Sequence, residues 1–428
     1  MSSANANANP NNYDIIIIGA GIAGLYSAYT IKKMLPNTKI LILEQNKKQY
    51  IGGRIGEDTF YGATIVSGAG IGRNDTNPIL KKLMKELDVP FQKSTSIMDY
   101  SKLLQHSKEY DVVKIIDLLK IEYNKNTIKY SKMTFKTFAT EILGEKNYKL
   151  FTIYCGYTDY EDADVYETLY NYGMDDTKGG WSILYISWKK LIDNICDFIG
   201  TENIKASSKV TEIIPVHNHN DSNSYEIKMG NGHSYYCNKV IVATTITSIM
   251  NLVGKQNPSL YNQIHGQPFL RLYAKFDKKS NEIMKNYVKH YTIVPGPLQK
   301  IIPMDVEKGV YMIAYSDNKS ASSVKNHLTN NVENRKLYEN LVEKSLGIPS
   351  DSLKIIAIKD YYWKVGTHYF DPLQGFNNRK DFLNKVQHPL PGMLVVGEAV
   401  SDYQGWVEGA MESVKAVVNK KWLKSSIF

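Results

Sequence analysis

At 428 residues the chain exceeds what one ordinary hydrophobic core organises, so two sequential or interwoven domains are expected. Its composition, 43% hydrophobic and 22% charged, is that of an average globular chain, and no apolar run reaches the ~18 residues that cross a bilayer, so no membrane span is expected. The net charge of +9 rests on lysines interleaved with acids, as over 108–132 and 275–289, which describes solvated helix faces and argues against a nucleic-acid partner.

Residues 1–12 are rich in Ala, Asn and Ser, with neither the basic head nor the apolar core of a signal peptide, and read as a disordered lead-in. With Cys155, Cys196 and Cys237 too scattered for a disulfide framework or a metal site, a reducing, cytoplasmic location is expected. Five arginines stand against forty-seven lysines. Where lysine is the default cation, an arginine marks a place that needs a flat, permanently charged fork.

In chain order, Tyr13 to Ile18 is a continuous apolar run, read as a buried parallel strand. A helix follows from about Gly21 to Leu35, and a second strand, Lys39 to Leu43, ends in Glu44; the three make a βαβ opening. From Pro78 to about Gly200 helical patterns alternate with Tyr/Asp-rich loops, with helices predicted at 79–87, 111–119, 137–143 and 183–199. The pattern turns to strands at 210–216, 225–229 and 239–244, joined by a polar turn over 217–224. Further strands are predicted at 269–276, 287–294, 309–316 and 353–363, interrupted by a helix over 321–346. The chain closes on a strand at 392–396 and a helix at 406–420.

Three motifs carry chemistry. Gly19-Ala20-Gly21-Ile22-Ala23-Gly24 follows a strand and opens a helix. Gly19 makes the tight turn, Gly21 admits a pyrophosphate to the backbone, and Gly24 lets helix pack on strand, with the helix N-terminus facing the anion. Glu44, at the end of the next strand, is placed to accept hydrogen bonds from a ribose. Next, Gly52-Gly53-Arg54 offers close backbone approach and a guanidinium for phosphate oxygens, as an FAD site needs. Last, a strand ends in Gly397-Glu398, and after a short loop a helix begins at Gly405-Trp406-Val407. Here Glu398 is expected to bind the ribityl chain, and the helix N-terminus to stabilise negative charge on reduced flavin. The two halves bracket the chain, so the FAD domain must be discontinuous.

With these motifs the chain resembles the flavin-containing amine oxidases, the family of monoamine, polyamine and L-amino acid oxidases. The segment Lys209-Val210-Thr211-Glu212-Ile213, with 239–244 after it, is similar to the family's middle FAD segment, which implies that the Val210 backbone meets the adenine. The resemblance implies noncovalent FAD, because Thr367 stands where monoamine oxidases carry the cysteine that attaches flavin. It implies an α/β fold: a discontinuous Rossmann-like FAD domain (13–77, 205–262 and 389–428) with a substrate domain of mixed or antiparallel sheet (263–388) plus helices (78–204). Hydride would pass from an amine to flavin N5, with dioxygen as acceptor and hydrogen peroxide as product.

Two positions depart from the family. Arg271 falls where the family has a lysine holding water against flavin N5; arginine cannot lose its proton, so its role is electrostatic or, alternatively, that of an ion-pair partner to a core carboxylate. Lys275 shares the strand face but lies about 13 Å further along. The family's aromatic pair before the flavin reads here as His368 with Trp406, or Tyr369 with Trp406 if the alignment slips by one; a backbone-bonded strand-end histidine is the plain alternative. Arg73 is either a reader of a substrate carboxylate or a loop residue. Beside the amine oxidase stand two other readings: a flavin-dependent desaturase or oxidase of a non-amine, and a flavin-binding protein with little turnover. The sequence leaves the oligomeric state open.

Overall fold

The computed structural model describes residues 11–105, 110–172, 179–217, 223–254, 258–376 and 378–425; most of the lead-in and the middle of the 217–224 turn lie outside them. Asn12–Ile18 runs inside a seven-stranded sheet, and Ile15 to Ile18 are buried on both of its faces. A stretch covered on both sides must be apolar, and these four isoleucines are; the polar Asn12 and Asp14 fall in the exposed start of the strand. It pairs in parallel with Ile40–Leu43 and with Ser234–Val242. Ser234–Val242 also pairs in parallel with Met393–Val395, and antiparallel with Asn223–Met229, which continues to Val210–His217. Strands from the start, middle and end of the chain therefore build one sheet, the discontinuous Rossmann-like arrangement expected from the motifs.

Helices Ile22–Met34, Trp188–Ile199 and Val407–Val417 cover one face, where Ile17, Ile42, Leu25, Leu191 and Met411 share a core. Ile16, Ile18, Leu41 and Val240 pack on the other face against Tyr261, Phe382 and Val386.

A second sheet of six strands runs in the order Ile355–Phe370, Ile264–Phe276, Val310–Asp317, Lys300–Asp305, Tyr291–Ile293, Met98–Tyr100. Its pairings are antiparallel except the last, which is parallel, so the sheet is mixed. One irregularity positions the site. Gln267 pairs with Thr367 but Phe269 pairs with Trp363, so residues 364–366 bulge opposite Pro268. Proline has no N–H for the ladder, and a bulge re-aims the side chains that follow it. Helices Val112–Lys125, Phe135–Leu143 and Glu145–Cys155 pack around Phe135, Phe138, Phe151 and Tyr160, in contact with Phe269 and Tyr315 of this sheet.

Two predicted helices come out differently. Residues 183–199 divide into the strand Ser182–Ile186 and the helix Trp188–Ile199. The strand takes its partners from Phe91–Thr95 and Gly72–Arg73. The helix start is set by Glu57, which accepts from the N–H groups of Trp188 and Lys189 at 3.1 and 3.2 Å. Residues 321–346 likewise break, because Asn331 caps a new helix, Val332–Leu346, by accepting from Asn334 N–H at 2.8 Å.

Candidate active site

The turn after the first strand is built from glycine for steric reasons. Gly19 has φ +104°, and a Cβ there would lie 2.4 Å from the Ala243 carbonyl oxygen. A Cβ on Gly24 would lie 2.0 Å from the Gly19 oxygen, so helix and strand touch backbone to backbone. At Gly21 the nearest atom to a Cβ would be the Gly52 oxygen at 4.0 Å; the space there is open and belongs to a cavity. Glu44 follows at the end of the second strand. Its Oε2 accepts from Ala20 N–H at 2.9 Å and its Oε1 from Asn46 N–H at 2.8 Å, which fixes the carboxylate at the cavity edge.

Glu398 is the centre of the site's hydrogen bonding. Oε2 accepts from Arg54 Nη1 at 2.8 Å and from His368 Nδ1 at 2.6 Å. Oε1 accepts from the His368 and Gly405 N–H groups, both at 2.8 Å. Burial alone would raise its pKa; His368, Arg54 and the Gly405 N–H outweigh burial and hold the carboxyl well below the usual range. Arg54 also donates to the Gly366 carbonyl at 2.9 Å. One carboxylate thus ties together the segments at 54, at 366–368 and at 405.

A single cavity of about 1610 Å³ connects these parts. Gly19, Gly21, Ile22, Ala23, Glu44, Gly52, Gly53, Arg54, Val210, Gly397, Glu398, Trp406 and Val407 all border it. Gly24 stands behind, packing the helix. The volume exceeds the ~300–1,000 Å³ of an ordinary small-ligand pocket, as a site for a dinucleotide and a second molecule must. Glycines along the wall, a carboxylate at one end and the N-terminus of Val407–Val417 at the other fit FAD: Glu44 and Val210 would hold the adenosine, the 19–24 turn the pyrophosphate, and the 397–407 segment the flavin end.

The substrate side is aromatic and charged. Arg271 borders the cavity, with its guanidinium carbon 4.1 Å from the Tyr315 ring centre and Nη1 3.6 Å from Met312 Sδ. No carboxylate among the described residues pairs with it, so the ion-pair alternative does not hold within them. Lys275 turns away and donates to the Lys308 carbonyl. Lys300, fully buried, donates to the Gly156 carbonyl at 2.6 Å and lies 4.4 Å from the same Tyr315 ring.

The aromatic pair needs correction. Trp406 borders the cavity, stacked with Tyr403 at 6.2 Å. His368 does not face it: the imidazole is completely buried, with Nε2 accepting from Ile246 N–H at 3.0 Å and Nδ1 on Glu398. Tyr369 lies beside His265, ring centres 5.2 Å apart, also outside the cavity wall. From this strand Trp363, Lys364, Val365, Gly366 and Thr367 reach the cavity, and the wall stops short of His368. Arg73 is 3% exposed beneath Trp406, 3.9 Å from its ring, and does not line the cavity, so it is no reader of a substrate carboxylate there.

Two acidic residues near the site lay unnoticed in the sequence. Glu408 accepts from Ile79 and Leu80 N–H at 2.7 and 3.0 Å, capping the helix Pro78–Glu86 from the last helix. Asp159 borders the cavity from the acidic 158–164 loop, a stretch that reads in sequence only as polar. Nearby acids are engaged elsewhere: Asp164 and Glu167 pair with Arg379.

A family model described as flavin containing amine oxidoreductase matches residues 140–419, and one described as an NAD(P)-binding Rossmann-like domain matches residues 17–87. The chain is 21% identical to an uncharacterized protein of Acanthamoeba polyphaga mimivirus, over 98% of this chain and 96% of that one. Among solved structures, a double mutant of putrescine oxidase redesigned in cofactor binding aligns with a TM-score of 0.73 at 13% identity, covering 95% of this chain and 98% of that one. Wild-type putrescine oxidase bound to putrescine aligns at 0.71 and 12% identity with the same coverage. At such identities the structural likeness speaks for the fold alone. Among the described residues no helix is long and apolar enough to cross a membrane. Matched by the family model over most of its length and folded around a dinucleotide cavity, this chain belongs to the flavin-containing amine oxidoreductases and is an FAD-dependent oxidoreductase acting on amines.

Proposed function

We propose that this enzyme is an oxidase of a small amine (a polyamine, monoamine or amino acid), with dioxygen as electron acceptor and hydrogen peroxide as product. The observation that carries the reading is one cavity bordered both by all three cofactor motifs and by Arg271, Tyr315 and Asp159. Bound there, FAD supplies the hydride acceptor for the carbon next to the amine nitrogen. The chain's own residues hold and orient. Tyr157, Tyr172, Phe269 and Tyr315 form a largely apolar wall that excludes water from a neutral amine, and Trp406 closes the flavin end. Arg271 keeps a permanent positive charge where oxygen gains electrons.

The cofactor half is proposed to comprise 13–77, 205–262 and 389–428, and the substrate half 78–204 and 263–388. This division is supported by where the strands of the two sheets fall. FAD is proposed to be noncovalent; Thr367, not a cysteine, borders the cavity beside Gly366, and Cys155, Cys196 and Cys237 are all buried outside it.

The test is a peroxide-coupled screen of amines and amino acids on the yellow, purified protein. Peroxide formation with at least one amine is expected. Flavin that no amine reduces under anaerobic conditions would overturn the reading.

A further inference from the structure

Four carboxylates among the described residues border the cavity: Glu44, Glu57, Asp159 and Glu398. Three are spent. Glu44 holds Ala20 and Asn46 at the ribose end, Glu57 caps the Trp188–Ile199 helix, and Glu398 accepts four hydrogen bonds. Asp159 differs. Its Oδ1 accepts from the Tyr172 hydroxyl, while among the described residues Oδ2 has only Thr367 Oγ1 at 3.5 Å, longer than an ordinary hydrogen bond.

The loop that carries Asp159 is pinned on both sides. Thr158 donates to Asp317 through N–H at 2.9 Å and Oγ1 at 2.6 Å, Asn318 Nδ2 donates to the Thr158 carbonyl at 3.1 Å, and Gln267 donates to the Asp159 carbonyl. The carboxylate is therefore fixed in place with one acceptor oxygen in reserve. It stands next to Thr367, which meets the Gly405 segment at the flavin end of the cavity: a Cβ on Gly405 would lie 3.7 Å from Thr367 Cγ2.

An alkyl amine reaches the site as an ammonium ion, since amines of this kind hold their proton to about pH 10. Its nitrogen lone pair must be released before the neighbouring carbon can lose hydride. We propose that Asp159 is the proton acceptor of the substrate ammonium, an assignment that rests on the amine oxidase reading above. In this step an ammonium N–H bond breaks and a carboxyl O–H bond forms on Asp159. The amine becomes neutral, and the proton stays on the carboxyl until it returns to water as product leaves.

The groups facing Asp159 set its readiness. Burial and the neighbouring Asp317 carboxylate push its pKa up to about 7, against the Tyr172 hydrogen bond and the Lys300 charge, which lower it; Cys155 also lies close enough to interact. A base poised near neutrality both accepts and gives up a proton readily.

The test is anaerobic reduction of the holoenzyme by an amine that it oxidises, followed by stopped flow from pH 5 to 9. Wild type should show an acid limb near pH 7 in the limiting reduction rate. Asp159→Asn should keep its flavin, lose that limb and reduce about 100-fold more slowly at pH 8. Tyr172→Phe removes a hydrogen bond that lowers the Asp159 pKa, so its limb should move to higher pH. A readout without turnover comes from melting temperature in the cofactor-free protein. A carboxyl whose folded pKa is raised gives full stability below its unfolded pKa, about 4, and loses it as pH rises through about 7. Asp159→Asn should therefore gain more in melting temperature relative to wild type at pH 8 than at pH 5. Wild type that no amine reduces removes the amine oxidase reading and this assignment together. Wild type that is reduced, with Asp159→Asn showing the same rate and limb, removes the assignment alone. Should Asp159→Asn not retain flavin, an unmoved limb in Tyr172→Phe overturns it.

Discussion

Arg54 and Glu398 lie 344 residues apart in sequence and form an ion pair of 2.8 Å, which closes the first cofactor segment onto the last. Glu398 is nearly fully buried, so removing its cation leaves a buried carboxylate with His368 and two N–H groups as its remaining support. Arg54→Met is expected to lower the melting temperature by several degrees, equivalent to about 3 kcal/mol, and to weaken flavin retention. Adding Glu398→Gln to that variant should cost much less than Glu398→Gln costs in wild type. A thermal double-mutant cycle measures this coupling, and additive losses would show that the pair is not the link.

Glu44 should govern flavin occupancy. Glu44→Ala removes the acceptor held by Ala20 and Asn46 at the cavity edge, and should purify with little yellow colour; Glu44→Gln should fall between. The ratio of flavin to protein absorbance checks both, and full occupancy in Glu44→Ala would place the ribose elsewhere.

Acid or heat precipitation should release the flavin into the supernatant. None of the three cysteines borders the cavity, and the strand that passes the flavin end presents Thr367. Flavin that stays with the pellet would refute noncovalent binding.

Arg271 should matter to oxygen more than to amine. Arg271→Lys keeps a cation beside Tyr315 and is expected to preserve turnover or raise it. Arg271→Met removes the charge and should slow reoxidation by dioxygen at least tenfold while leaving reduction within a few fold. Stopped-flow measurement of the two half-reactions decides. Equal, unchanged rates with a lower melting temperature would make Arg271 a packing residue of the Met312–Tyr315 wall.

What the sequence determined by itself is local. The glycines at 19, 21 and 24, the carboxylate at 44 and the apolar run before them follow one another within a βαβ unit, and steric demands on a tight turn leave few other residues possible. The Gly397-Glu398 and Gly405-Trp406-Val407 pair is legible for the same reason. The partners of those residues were not. That Glu398 is held by residues 54, 368 and 405, or that Glu57 caps the helix at 188, depends on segments brought together by folding. The strand at Thr367 and His368 shows the limit most clearly. Successive side chains of a strand face opposite ways, so a single residue of register decides which of the two meets the cavity and which is buried. The bulge opposite Pro268 sets that register, and it arises from pairing between strands about a hundred residues apart. Thr367 therefore faces the cavity while His368 turns inward to Glu398, an outcome settled by tertiary hydrogen bonding and not by the order of residues along the chain.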